Sequence, residues 1–281
     1  MRTVVVVPCY NEARRLDVRR FLDFADADPL TDFVFVNDGS SDCTLEILEG
    51  MHHARPQRFS FVHLKNNRGK AEAVRRGMLL ALELPADCVG FWDADLATPL
   101  EEIGVFRRVL QTRQDIELVV GTRLALLGRR IERHPLRHRL GRLFARAAAT
   151  VLGLAIYDTQ CGAKLFRATP MLASALGDPL VSRWIVDVEL LARLKMLRPE
   201  GLPPLGQVIY ECPLESWREV AGSKLRPADF FRSLEELAQI YWKYLLPGRR
   251  QPASIPVSIL RADTSLDFQK AYRDREDRKA A

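Results

Sequence analysis

The chain has 281 residues and a 47% hydrophobic content, enough to bury the core of one large α/β domain or at most two small ones. Lys and Arg number 42 against 36 Asp and Glu, and this net charge of +6 does not by itself establish an anionic partner. The five cysteines, Cys9, Cys43, Cys88, Cys161 and Cys212, are dispersed without a C-x-x-C pair, which argues against a disulfide scaffold or zinc site and fits a reducing compartment.

Residues 3–8, 33–37, 59–64, 88–92 and 118–121 are β-branched or aromatic runs bounded by polar turns and are predicted to be buried strands. Between them, residues 12–24, 41–51, 70–82 and 99–111 carry helical spacing. Ser41 is placed to cap the second of these, and Pro99 suits the first turn of the fourth. This alternation predicts a mostly parallel sheet with helices on both faces, whose ligands bind beyond the carboxyl ends of the strands. Polar clusters fall at those ends: Tyr10-Asn11-Glu12, Asn37-Asp38-Gly39, residues 66–70, and Asp93-Ala94-Asp95. The second half reads as a basic segment over 129–146, an apolar helix over 143–154, a strand over 163–166, a helix over 184–197, a strand over 207–212 and a last helix over 227–245. From residue 247 to 281 the chain is a polar tail with little core of its own. The opening apolar run, residues 4–7, is far shorter than the ~20 residues of a bilayer span, and residues 143–157 are interrupted by Arg146, so no membrane span is expected.

Asp93 and Asp95 directly follow the strand over 88–92. Two carboxylates at a strand end are hard ligands suited to Mg²⁺ or Mn²⁺, which bind through one or two carboxylates together with substrate phosphates. A capping turn before Pro99 would use the same residues. His134 and His138 are four apart, but Pro135 and the surrounding arginines argue against a shared metal. No P-loop, G-x-G-x-x-G or G-x-S-x-G element is present.

The elements Pro8-Cys9-Tyr10-Asn11-Glu12, Val36-Asn37-Asp38-Gly39-Ser40-Ser41-Asp42, Asn67-Arg68-Gly69-Lys70 and Asp93-Ala94-Asp95 occur in order, each at a strand end. In this the chain resembles glycosyltransferase family 2, inverting enzymes of GT-A-type fold, over roughly residues 3–245. The resemblance implies a Rossmann-like, mostly parallel sheet flanked by helices in a single catalytic domain over 1–246. Residues 1–123 would bind the nucleotide sugar and 124–246 the acceptor. It implies that Pro8, Tyr10 and Glu12 wall the base and that Asp38 reads the base or ribose. Asp93 and Asp95 would hold donor and metal, with Asp95 the direct ligand. Lys70 would reach the nucleotide, unless it is only a solvated charge at a helix start, and Arg123 would contact the donor phosphates. With Asp93, Asp95 and Arg123, Glu189 completes the catalytic candidates.

Residues 158–166, read D-T-Q-C-G-A-K-L-F, together with Asp187-Val188-Glu189-Leu190-Leu191 and Gly222-Ser223-Lys224-Leu225, resemble the dolichyl-phosphate β-glucosyltransferase subset. The implied reaction is inverting transfer of a hexose, glucose from UDP-glucose, to a polyprenyl phosphate. Gln160, Lys164, Lys224 and Arg137 are the expected acceptor or phosphate contacts. Polyprenyl-phosphate mannosyltransferases using GDP-mannose are close relatives, although Ala97 stands where they commonly carry Gln. Two further alternatives are a family 2 enzyme acting on a sugar hydroxyl and a non-enzymatic binding protein on a degenerate transferase fold; intact Asp93 and Asp95 argue against the latter. Asp187 and Glu189 would orient the sugar or basic side chains, and Trp184 and Trp217 either pack on the sugar or fill core.

Arg129, Arg130, Arg133, Arg137, Arg139, Arg142 and Arg146 face a single acid, Glu132, with Leu136, Leu140, Leu143 and Phe144 at helical spacing among them. Such a helix suits an anionic membrane surface, or is a solvated face over a core stripe. Peripheral attachment at the cytoplasmic face of a membrane is the expectation. A nucleic-acid partner is not, since no stacking-aromatic pattern accompanies the arginines.

Overall fold

The computed structural model describes residues 1–132, 135–220 and 227–246. Nine strands form among them: β1 (Thr3–Cys9), β2 (Thr31–Asp38), β3 (Phe59–Leu64), β4 (Cys88–Trp92), β5 (Leu118–Thr122), β6 (Arg130–Glu132), β7 (Ala163–Arg167), β8 (Ile209–Pro213) and β9 (Ser216–Arg218). The helices are α1 (Val18–Ala27), α2 (Thr44–Ala54), α3 (Lys70–Glu83), α4 (Glu102–Thr112), α5 (Pro135–Leu152), α6 (Pro170–Gly177), α7 (Val186–Leu197) and α8 (Pro227–Ile240). Seven strands make one sheet in the order β3-β2-β1-β4-β7-β5-β8; β6 and β9 pair separately. The β1–β2, β1–β4, β2–β3 and β5–β8 pairings are parallel, whereas β7 runs antiparallel to β4 and β5.

The period of two along each strand divides the core between the two faces. Val4 and Val6 of β1 and Val34 and Val36 of β2 join Val74, Met78 and Leu190 on one side. Val5, Val7, Phe33 and Phe35 join Phe21, Leu48 and Phe106 on the other. The second layer is fixed by ring geometry: Phe21 meets Phe35 edge-on at 5.1 Å. On the first side α3 lies so close to β1 that a Cβ at Gly77 would fall 2.3 Å from Val6 Cγ1.

Several boundaries differ from the sequence reading. Residues 12–16 form a turn, with the Glu12 carbonyl accepting from the Arg15 and Leu16 N–H groups, and α1 begins only after Asp17, whose carboxylate caps Arg20 N–H. Ser41 does not cap α2, whose N-cap is Cys43 without a side-chain cap bond; Asp42, in the turn before it, accepts from Thr44 N–H. Pro99 sits in the turn before α4, its carbonyl accepting from Glu102 N–H. From Pro135 on, the basic segment and the apolar helix are one helix, α5, whereas Arg130–Glu132 of that segment is β6. The last predicted helix ends at Ile240 and continues as a wider π turn, Tyr241–Leu245. Helix α6 and the β6–β9 pair have no counterpart in the sequence reading, being short and weakly patterned.

Candidate active site

The order β2-β1-β4 brings the carboxyl ends of three strands side by side, and side chains then knit their loops together. Asn11 Oδ1 accepts from Ser41 N–H at 2.8 Å, Ser40 Oγ accepts from Asn11 N–H at 2.9 Å, and Thr44 Oγ1 accepts from Glu12 N–H at 2.8 Å. Asp38, at the end of β2, accepts from the Arg68 and Gly69 N–H groups at 2.7 and 2.8 Å. Burial pushes the Asp38 carboxyl above its ordinary pKa against these two bonds. Asp38 therefore holds the loop that launches α3. Gly69, at φ +95°, backs onto the Arg183 carbonyl, where a Cβ would approach to 2.9 Å.

That loop delivers Lys70 to the D-x-D turn, its Nζ 2.5 Å from Asp93 Oδ1. Burial works against the ammonium, yet Asp93, Asp187 and Asp95 outweigh it and hold Lys70 above the pKa of a free lysine. Asp95 Oδ1 accepts from Ala97 N–H at 3.1 Å. Burial and the neighbouring Asp93 charge raise the Asp95 carboxyl. The turn places Leu96 at φ +52°; Leu96 and Asn11 are the two non-glycine residues of positive φ among the described residues, and both border this cleft.

Two arginines complete the ring. Arg15 pairs with Glu12 at 2.7 Å, and its charge is felt by Asp95 and Asp93. Arg123, just past β5, makes a bidentate pair with Asp158 at 2.7 and 2.8 Å and lies 5.2 Å from the Trp217 ring centre. Asp158 and Asp93 raise the Arg123 pKa against burial. The antiparallel β7 brings Ala163 opposite Trp92 at the end of β4, so the preceding Gly162 meets Asp93: its carbonyl accepts from Asp93 N–H at 3.0 Å. Two half-buried carboxylates, one of them raised by its like-charged neighbour, thus face three cations. Such a donor set fits a divalent ion completed by waters and diphosphate oxygens, although no cluster of three His, Cys, Asp or Glu groups suited to a metal is present among the described residues.

Residues 4–171 match the model of the family described as "Glycosyl transferase family 2". The chain belongs to glycosyltransferase family 2. A dolichyl-phosphate beta-glucosyltransferase of Trichomonas vaginalis is 32% identical over 91% of this chain and 76% of its own length. Another, from Dictyostelium discoideum, is 30% identical over 86% and 74%. Among solved structures, mannosyl-3-phosphoglycerate synthase from Rubrobacter xylanophilus aligns with a TM-score of 0.64 at 14% identity, covering 92% of this chain and 80% of that one. Glucosyl-3-phosphoglycerate synthase from Mycobacterium tuberculosis, in complex with Mn²⁺, UDP-glucose and phosphoglyceric acid, aligns at 0.60 with 18% identity, covering 86% and 80%. These likenesses bear out the expected GT-A-type architecture.

Of the family-derived site residues, Asp93, Asp95, Lys70 and Arg123 converge on one cleft. Tyr10 is exposed and Pro8 half-buried at its rim. Glu12 and Asp38 are buried and engaged by Arg15 and by the Arg68–Gly69 backbone. Two candidates are buried and engaged by other groups of the chain. Lys164 has 0% exposure and donates to the Thr159 and Cys161 carbonyls and to Asp187 at 2.5 Å, so it braces the Asp158–Cys161 turn and offers nothing to a phosphate. Glu189, also at 0%, accepts from the Val181 and Ser182 N–H groups, Arg193 and the Tyr244 hydroxyl, which makes it a structural carboxylate. Gln160 is half-buried in the turn that Lys164 braces. Lys224 and the Arg137 side chain lie outside the described residues. Trp184 and Trp217 are half-buried. Arg15, Asp158 and Gly162 received no role from the sequence; the only signal for Arg15 was its i,i+3 spacing from Glu12. Burial pushes the thiols of Cys88 to about 12 and of Cys161 to about 11, so neither is a nucleophile at neutral pH.

Proposed function

We infer that this chain transfers a glucosyl group, with inversion, from UDP-glucose to a polyprenyl phosphate at the cytoplasmic face of a membrane. The observation that carries the reading is the Asp93–Asp95 pair at the end of β4, ringed by Lys70, Arg15 and Arg123. The dolichyl-phosphate glucosyltransferase relatives support the acceptor class and the sugar. The Mn²⁺ and UDP-glucose bound by the mycobacterial neighbour support a divalent ion at the carboxylates.

In this reading Asp95 and Asp93 hold Mg²⁺ or Mn²⁺, which when bound supplies Lewis-acid neutralisation of the departing diphosphate. Lys70 and Arg123 add positive charge where the leaving group gathers negative charge. Tyr10 and Pro8 border the base, and Asp38 presents the loop beneath the nucleotide. A phosphate monoester has a second pKa near ~6, so at neutral pH the acceptor is largely dianionic and needs no strong base. This agrees with Asp187 and Glu189 both being committed to buried cations.

The membrane is reached through α5 and α8, which pack against each other. Leu143, Phe231 and Trp242 stand 59%, 72% and 60% exposed, with Arg139, Arg146 and Lys243 exposed among them. Apolar and basic groups together suit insertion into an anionic lipid surface. No helix of the described residues is long and apolar enough to cross a membrane.

The test is glycosyl transfer from radiolabelled UDP-glucose and GDP-mannose, with Mn²⁺, in the presence and absence of a short-chain polyprenyl phosphate. Acceptor-dependent product from UDP-glucose is expected. Product only from GDP-mannose would reassign the donor, and acceptor-independent hydrolysis alone would remove the lipid phosphate from the reading.

A further inference from the structure

Among the cations around the D-x-D turn, Arg15 is matched by Glu12 and Arg123 by Asp158, in ion pairs of 2.7 Å each. Lys70 differs. Its ion pair among the described residues is with Asp93, at 2.5 Å, and its side chain is 23% exposed while that of Asp93 is 38% exposed. The lysine is not a loose surface chain, because the turn before it is clamped from two directions. Asp38 takes the N–H groups of Arg68 and Gly69, and the Arg183 carbonyl takes the N–H of Ala71 at 2.9 Å. The third acid nearby, Asp187, is neutralised by Lys164. The local balance is therefore two carboxylates, Asp93 and Asp95, against the one ammonium of Lys70.

A divalent ion on these carboxylates would make that ammonium redundant there and leave it as excess positive charge beside the cleft. A diphosphate would bring the matching negative charge. We propose that Lys70 is the resident counter-ion of the Asp93–Asp95 pair, and that it passes from Asp93 to the donor diphosphate as the metal binds, so that metal and nucleotide enter with strong positive coupling. The proposal rests on the assignment of the metal to Asp93 and Asp95. Lys70 thereby acts twice: it suppresses metal binding in the empty cleft and strengthens it once diphosphate is present. Because coupling between two ligands is reciprocal, removing Lys70 must lower the effect of UDP on Mn²⁺ and of Mn²⁺ on UDP by the same factor.

The experiment is equilibrium Mn²⁺ binding to the full chain, read from the free-ion electron paramagnetic resonance signal, with and without UDP. It compares the wild type with Lys70→Met, Lys70→Gln and Asp95→Asn, each accepted on a wild-type far-UV spectrum. The glutamine variant keeps a polar side chain should methionine disturb the helix start. Without UDP, both Lys70 variants are expected to bind Mn²⁺ about tenfold more tightly, the scale on which one adjacent opposite charge shifts a carboxylate's affinity for a cation. Their gain in Mn²⁺ affinity on adding UDP is expected to shrink by about tenfold or more. Unchanged or weaker Mn²⁺ binding in the Lys70 variants, with binding lost in Asp95→Asn, would overturn the counter-ion role while leaving the metal site intact. Mn²⁺ binding that ignores Asp95→Asn as well would overturn the metal assignment and the proposal with it.

Discussion

Gly162 and Asp93 meet so closely that a Cβ on Gly162 would fall 1.8 Å from Asp93 Oδ2. The group struck is the Asp93 carboxylate, the end of a side chain that can rotate, whereas its backbone is pinned by the Gly162 carbonyl. Gly162→Ala should therefore turn Asp93 out of position while leaving the sheet assembled. Turnover is expected to fall about 10²-fold, the cost of an ~1 Å misplacement at a reacting centre. Steady-state transfer kinetics with a Mn²⁺ titration check this; wild-type kinetics would show that Asp93 tolerates displacement.

Lys164→Met separates a structural lysine from a phosphate-binding one. The change leaves Asp187 without its buried partner, and breaking such a pair from one side costs about 3–5 kcal/mol. The urea midpoint should fall accordingly at neutral pH. A variant of unchanged stability but poor acceptor affinity would restore the phosphate role.

Glu72 carries a pH prediction. Burial raises its carboxyl, but Arg75 and Arg76, at 2.7 and 2.8 Å, outweigh that and hold it below the usual range. A depressed folded-state pKa contributes stability above the unfolded value of about 4.3 and loses it as pH falls through the folded value. Glu72→Gln should cost about 3 kcal/mol at pH 7, since Arg75 is buried, and the penalty should shrink in acid below the folded value. Urea titrations at several pH values measure it; a pH-independent penalty would contradict the assignment.

For membrane docking, Arg139 and Arg146 are the informative arginines. Arg142 is occupied: its guanidinium lies 3.5 Å from the Tyr157 ring centre and donates to the Tyr157 carbonyl. Changing Arg139 and Arg146 together to Gln removes charges worth about 1 kcal/mol each at an anionic surface, so vesicle binding should fall roughly thirtyfold. The loss should be largest at low salt. Co-sedimentation with anionic vesicles measures it, and unchanged binding would leave α5 a solvated face.

The alternating strands and helices of the first half were legible because Val4 to Val7 and Phe33 to Val36 fill both faces of a sheet, a pattern visible without any partner. The cleft was legible at Asp93, Asp95 and Lys70 because each closes or opens an element whose end the sequence marks. What escaped was pairing. Nothing near Lys164 says that its amine points inward to Thr159, Cys161 and Asp187, and Glu189 reads like any acid in a first helical turn until Tyr244, 55 residues later, closes over it. The apparent cap at Ser41 failed because α2 begins only at Thr44, whose amide donates to Asp42.

Strand β7 has a consequence for how the molecule is made. It fills the gap between β4 and β5, so the sheet beneath the Asp93–Asp95 turn is incomplete until residue 167 has been synthesised. Until then the inner edges of β4 and β5 are unpaired, and both strands are wholly buried in the finished sheet. A nascent chain ending near residue 123 is consequently an aggregation hazard rather than a free-standing nucleotide-binding module. Fragments that separate residues 1–123 from the rest of the chain should need the missing strand supplied in trans.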